Sequence, residues 1–325
     1  MRLWRQHELG DPLAVLAIEE DDPPRAGTGQ VVVEAAAVGL AFPDILAGRG
    51  EYQIPTQLPF TPGMETAGVV TEVGDGVEGL TVGDSVVMTG GGLRQLAAVP
   101  AETVYAYPPD VLAPEKAAAV PVNYCTAWYA LFDRARIREG ETVLVTGAAG
   151  GTGTACIQLA RGAGAEIIAV VGGEEKAELV SSLGVDHVID HHELPQWVDA
   201  VREISGGGVE VAFDPVGGDS FHQVRRCMGW NGRLLVIGFV GGIPDAPMNH
   251  VLLKNYSILG VHWGAALMRD PDTYRRHLDA IFDMARRGHV DPPLYPPFAF
   301  EQAAEALQAL ADRRVHGKAI VMMGG

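Results

Sequence analysis

The sequence predicts an α/β protein in which a doubly wound parallel sheet accompanies a smaller β-barrel-like domain. Three observations predict it. From about residue 141 short apolar runs alternate with helix-patterned stretches, the pattern of βαβ units with helices on both faces of a parallel sheet. The Gly-rich stretch "TGAAGGTGTACIQLA" (146–160) lies between one such run and one such helix. Before about residue 110, short apolar runs such as "QVVVEAAAVGL" (30–40), "TAGVVTEV" (66–73) and "DSVVMTG" (84–90) are punctuated by Gly, Pro and Asp, as in a small β domain.

The 325 residues suffice for two domains, and a 47% hydrophobic content supplies their cores. The eight prolines from Pro12 to Pro100 argue against long helices in the first part. Near Pro114 the chain turns Ala-rich and helical in pattern. The alternation then reads "ETVLVTG" strand, "GTACIQLARGAGA" helix, "EIIAVVGG" strand, "EEKAELVSSLGV" helix and "HVID" strand. It continues with "ELPQWVDAVREISGGG" helix, "VEVAFDPVGG" strand, "DSFHQVRRCMGWNG" helix, and the strands "RLLVIGF" and "YSILGVHW". Two further helices, "DPDTYRRHLDAIFDMARRG" and "AFEQAAEALQALADRR", precede a closing strand, "GKAIVMM".

A formal net charge of −17 disfavours nucleic-acid and anionic-membrane partners, which need a basic face. No apolar run is long enough for a membrane span, and the N-terminal stretch lacks the apolar segment of a secretory signal. Cys125, Cys156 and Cys227 form no C-x-x-C pair, so reduced thiols and a cytoplasmic location are expected.

Ala148-x-Gly150-x-x-Gly153 is a variant of the G-x-G-x-x-G fingerprint with Ala in the first position. Its place, after a strand and at the start of a helix, is where glycines let a pyrophosphate approach the helix N-terminus. Residues Ala148, Gly150, Gly151, Thr152 and Gly153 are therefore candidate cofactor contacts. NAD-binding folds set an acidic residue at the end of the second strand, for the ribose 2′-hydroxyl. That position falls here at Val171 or Gly172. The pair Gly172–Gly173 leaves room and Lys176 could meet a 2′-phosphate, so NADPH is the expected cofactor. Glu174 and Glu175 count against this unless they face solvent on the first helical turn.

These motifs, with "AVGLAFPDILAGRGEYQ" (37–53), "LPFTPGMETAGVVTEVGDGV" (58–77), "VGDSVV" (82–87), "TAWYAL" (126–131), "FDPVGGD" (213–219), "GRLLVIGF" (232–239) and "GKAIV" (317–321), give a chain that resembles the medium-chain dehydrogenase/reductase superfamily in its zinc-independent, NADPH:quinone oxidoreductase-like branch. The resemblance spans nearly every residue. It implies a GroES-like β domain (1–118 and 266–325) around a Rossmann, NADPH-binding domain (119–265). Zinc-dependent relatives carry a Cys near Leu40 and a His at Met64; neither is present, and no metal is expected. The adjacent His191 and His192 are expected to point apart.

The resemblance further implies cofactor contacts at Thr126, Gly238, Phe239, His191, Arg313 and Lys318. His191 stands where relatives often have Tyr beside the 2′-phosphate, and a partly protonated His could do that job. Without zinc, the acceptor must already be electrophilic, as quinones and α,β-unsaturated carbonyls are. Tyr52 is the candidate catalytic residue, a hydrogen-bond donor to the substrate carbonyl; a packed β-domain aromatic is the structural alternative. Ala41 replaces an Asn common in quinone oxidoreductases, so substrate preference does not transfer simply. Two other functions stay open: an enoyl-thioester reductase of the acrylyl-CoA kind, and a non-enzymatic dinucleotide-binding protein. The resemblance also implies a homodimer closed at the edge strand "YSILGVHW".

Overall fold

The strand Gln30–Leu40 is the hub of a seven-stranded sheet. It pairs antiparallel with Glu65–Val73, with Leu96–Pro100 and with Ala319–Met322 from the far end of the chain. Val31 and Val33, two residues apart and so on one face of the pleat, join Val70, Val86, Met88, Ala97 and Val104 in one apolar cluster. The pairing with Glu65–Val73 shifts register between Ala35 and Ala37, the local irregularity by which a strand re-aims its side chains. Beyond the shift, Val38 and Leu40 enter a second cluster with Trp4, Ile45, Leu93, Phe300, Leu307 and Val321. One strand thus serves two cores, and the C-terminal segment completes the second.

This structure, a computed structural model, describes residues 1–324. They form two compact units, one of Met1–Val122 with the segment from Asp291, the other of Asn123–Val290. Residues 266–290, expected with the C-terminal segment, lie in the second unit. The helix Asp272–Arg286 buries Tyr274, His277, Leu278, Ile281 and Phe282 and packs there on Cys125–Trp128. His277 Nε2 meets Asp133 Oδ2 at 2.9 Å. The amphipathic face of this helix, rather than chain order, sets its unit.

The second unit is a six-stranded sheet, parallel throughout. Its strands, Thr142–Val145, Glu166–Val171, His187–Asp190, Val209–Asp214, Met228–Val236 and Ser257–Gly260, lie in the order third, second, first, fourth, fifth, sixth. That is the doubly wound nucleotide-binding order, with its switch point between the first and fourth strands. Two short helices, Met248–Lys254 and Trp263–Arg269, flank the edge strand and were not read from the sequence. Among the described residues no helix is long and apolar enough to cross a membrane.

A buried ion pair closes the first unit. The Lys318 ammonium donates to Glu65 Oε1, with both side chains almost wholly out of water. The second Glu65 oxygen, Oε2, accepts from the Val122 amide at 2.7 Å. A Cβ on Gly39 would stand 3.0 Å from Lys318 Cε and 2.5 Å from the Ala118 carbonyl, so only glycine admits the lysine stem here. Removing one partner of such a pair leaves an uncompensated buried charge, a cost of about 3–5 kcal/mol. Lys318→Met is expected to lower the unfolding free energy by that order in urea titrations. Glu65→Gln/Lys318→Met, which keeps an acceptor for Val122, is expected to be more stable than Lys318→Met alone.

Candidate functional site

In a parallel sheet every strand-to-helix turn emerges at the carboxyl edge, and the edge of the second unit gathers most of the sequence candidates. The turn after Thr142–Val145 takes its left-handed residue at Gly147, φ 55°. This explains Ala148 in the first fingerprint position: its φ is not positive, and its methyl is buried while its amide donates to the Val170 carbonyl at 3.3 Å. Gly150 is the N-cap of the helix Gly151–Gly162, which has no side-chain cap, so its first amides face outward without a competing side chain. Gly153 has no room for a side chain, since a Cβ would lie 2.5 Å from the Gly147 carbonyl oxygen and 2.8 Å from Ala148 Cα. Gly151 and Thr152 occupy the first helical turn, half-buried.

The fourth strand ends in Asp214, which is buried. Its Oδ1 accepts from Thr146 Oγ1 at 2.6 Å and from the amides of Val216 and Gly217 at 3.0 and 3.2 Å. Burial pushes its carboxyl up while those three donors pull it down. The residue therefore staples the turns of the first and fourth strands across the switch point.

At the end of the second strand, Gly172 and Gly173 lead into the helix Glu174–Ser182, again without a side-chain cap. Glu174 and Glu175 are exposed on its first turn. A Cβ at Gly172 would meet Nε2 of both His191 and His192 at 2.7 Å. The two histidines thus do not point apart. They follow the third strand in a turn where Asp190 Oδ1 accepts from the amides of Gly173, at 3.0 Å, and His192, at 2.9 Å, which curls both rings onto Gly172. Burial and then the His192 charge push the His191 imidazole down, with a smaller push from Lys176. Gly172, Gly173, Lys176 and His191 therefore share one corner. His192 and Asp190 belong to it too, and the sequence reading missed both; their signal was a short strand ending in Asp-His-His.

Gly238 and Phe239 do not end a strand, as the pattern predicts; the fifth strand stops at Val236. They lie in the loop beyond, where Phe239 Cδ1 stands 3.2 Å from a Cβ built on Gly217. Thr126 is half-buried in the helix Cys125–Trp128, which lies between two stretches of wider, π-type turns, a geometry frequent at functional sites.

The remaining candidates lie in the first unit. Tyr52 is half-buried after the helix Phe42–Arg49. Burial, and then the negative charge of Asp44, push its phenol up, so it stays a proton donor at neutral pH. Asp44 is buried, accepting from the Ala41 amide at 2.8 Å and the Gly63 amide at 2.7 Å; burial pushes its carboxyl up to about 6. Arg313 is exposed, in a left-handed turn at φ 59° after the helix Ala303–Ala311. Lys318, expected at a cofactor phosphate or amide, is instead committed to Glu65 in the interior. Among the described residues no three His, Cys, Asp or Glu side chains converge as a metal site would require.

Two family models match the chain, "Alcohol dehydrogenase GroES-like domain" over residues 27–109 and "Zinc-binding dehydrogenase" over residues 151–283. Quinone oxidoreductase-like protein 2 of Mus musculus is 37% identical over 321 residues, covering 97% of this chain and 90% of that protein. The chain belongs to the medium-chain dehydrogenase/reductase family, in its quinone oxidoreductase-like group. Among solved structures, a probable oxidoreductase from Mycobacterium abscessus superposes with a TM-score of 0.90 at 37% identity, covering 99% of this chain and 98% of that one. The Escherichia coli quinone oxidoreductase complexed with NADPH gives 0.89 at 26% identity, covering 99% of this chain and 100% of that one. A mixed α/β fold with a GroES-like domain and a doubly wound sheet is the architecture of this family.

Proposed function

We propose that this protein is an NADPH-dependent reductase of quinones or other activated α,β-unsaturated carbonyls, working without a metal. The observation that carries the cofactor is the corner at Gly172. The space that an acidic side chain takes in NAD-binding folds is filled here by two imidazole edges, with Lys176 beside them. Groups that donate or carry positive charge suit a 2′-phosphate; a carboxylate suits a free ribose hydroxyl. The Escherichia coli relative, solved with NADPH, supports the same reading.

When bound, NADPH supplies a hydride to an acceptor carbon that conjugation has already made electrophilic. The chain's own residues bind and orient. The amides from Gly150 to Gly153 would hold the pyrophosphate at an uncapped helix N-terminus. Gly172, Gly173, Lys176 and His191 would hold the 2′-phosphate. Thr126, Gly238 and Phe239 would serve the nicotinamide end. Tyr52, its phenol kept protonated, donates a hydrogen bond to the acceptor's carbonyl oxygen, where negative charge develops. Met64 stands where zinc-dependent relatives carry a His, so this bond takes the place of Lewis-acid polarisation.

Purified protein given NADPH is expected to reduce a simple quinone faster than acrylyl-CoA. Tyr52→Phe is expected to lower kcat by about tenfold or more while leaving the NADPH dissociation constant unchanged. Faster turnover of the thioester would move the protein to the acyl-CoA branch. Tight NADPH binding with neither acceptor reduced would favour a sensing role.

We further infer a cytoplasmic homodimer. Among the described residues the edge strand Ser257–Gly260 pairs on one side alone, and Met248, Leu252 and Leu253 of the helix that precedes it are 67–79% exposed. An open strand edge with apolar neighbours is the surface a symmetry mate covers. Light scattering at micromolar concentration is expected to give twice the chain mass; the monomer mass would refute the dimer.

A further inference from the structure

The third strand, His187–Asp190, ends in two histidines whose rings meet edge-on, centroids 4.7 Å apart at 88°. Both Nε2 atoms lie 2.7 Å from the place that a Cβ on Gly172 would take. Lys176 comes from the helix Glu174–Ser182 and acts on the His191 ring. Asp190 comes from the strand end, with Oδ1 taken up by the amides of Gly173 and His192. Glu174, Glu175 and Glu193 are exposed on the flanking turns. The helix presents its uncapped N-terminus to the same corner.

We propose that His191 and His192 form a proton-gated clamp for the cofactor's 2′-phosphate, so that preference for NADPH over NADH strengthens as pH falls through the imidazole range. The inference rests on the cofactor reading above, and it assigns His192 a part in specificity.

Phosphate binding and imidazole protonation are linked. In the free protein burial, then the His192 ring and more weakly Lys176, push the His191 imidazole down, because desolvation and like charges at short range disfavour its charged form. A phosphate that accepts from both reverses the balance. Its second ionisation lies near pH 6, so it is largely dianionic at neutral pH. Each imidazolium then gives it a charge-assisted hydrogen bond. The imidazoles hold protons more tightly in the complex than in the free protein. Binding of the phosphate therefore takes up protons, and its affinity is lost as pH rises through the imidazole pKa of the complex. Well below pH 6 the phosphate itself becomes a monoanion, and the gain levels off. NADH has no 2′-phosphate, so its affinity does not follow this curve.

The test is calorimetric titration with NADPH and NADH at about pH 6.5 and about pH 8.5, each in two buffers of different ionisation enthalpy. The NADPH-over-NADH affinity ratio is expected to fall by about tenfold between the two values, with proton uptake on NADPH binding alone. His192→Gln and His191→Gln are each expected to flatten the dependence, with circular dichroism reporting that each variant is folded. A ratio constant across pH, or one untouched by His192→Gln, overturns the clamp while leaving NADPH as the cofactor. A ratio near unity at both pH values overturns the cofactor reading itself.

Discussion

Parallel pairing is the constraint on which the second unit depends. Six strands running the same way put every strand-to-helix turn on one edge, and each return must be made by a helix on a face of the sheet. The winding reverses between Thr142–Val145 and Val209–Asp214, the switch point of a doubly wound sheet. Asp214 ties the two turns there, accepting from Thr146 in one and from Val216 and Gly217 in the other. The glycines at 150 and 153 leave backbone, not side chain, beside that point. The corner at Gly172 and the loop at Phe239 lie along the same edge, because the second and fifth strands end there too.

The first unit obeys a different constraint. Its central strand Gln30–Leu40 is shared by two cores, and its far end needs a strand from residues 319–322 to be paired. The Lys318–Glu65 contact sits where that C-terminal strand begins, and Glu65 also holds the amide of Val122. One buried carboxylate thus ties three stretches of chain that are distant in sequence. Asp44 does the same on a smaller scale, joining the amides of Ala41 and Gly63.

The doubly wound unit was legible in the sequence because its signals are local. Apolar runs such as "TVLV" and "EIIAVV" and the Gly-rich turn each lie within a few residues, and periodicity reads them directly. What escaped was set by tertiary contact. Lys318 looks like a free cation near the C-terminus until the fold brings it against Glu65, 253 residues away. His191 and His192 look like neighbours that diverge until Asp190 bends the turn beneath them. The helix Asp272–Arg286 carries no mark of which unit its apolar face will meet. Ala148 is an instructive middle case: the motif was found despite the replaced glycine, and the reason it is allowed, a left-handed Gly147, lay in the backbone alone.

The claim that organises the site is that the carboxyl edge of the second unit takes NADPH with its 2′-phosphate at the Gly172 corner. A crystal structure of the protein grown with NADPH tests it most directly. Phosphate oxygens are expected within hydrogen-bond distance, about 2.7–3.2 Å, of Lys176 and of both imidazoles, with pyrophosphate oxygens on the amides following Gly150. A 2′-phosphate turned away to solvent, or an adenosine bound elsewhere on the sheet, would contradict it.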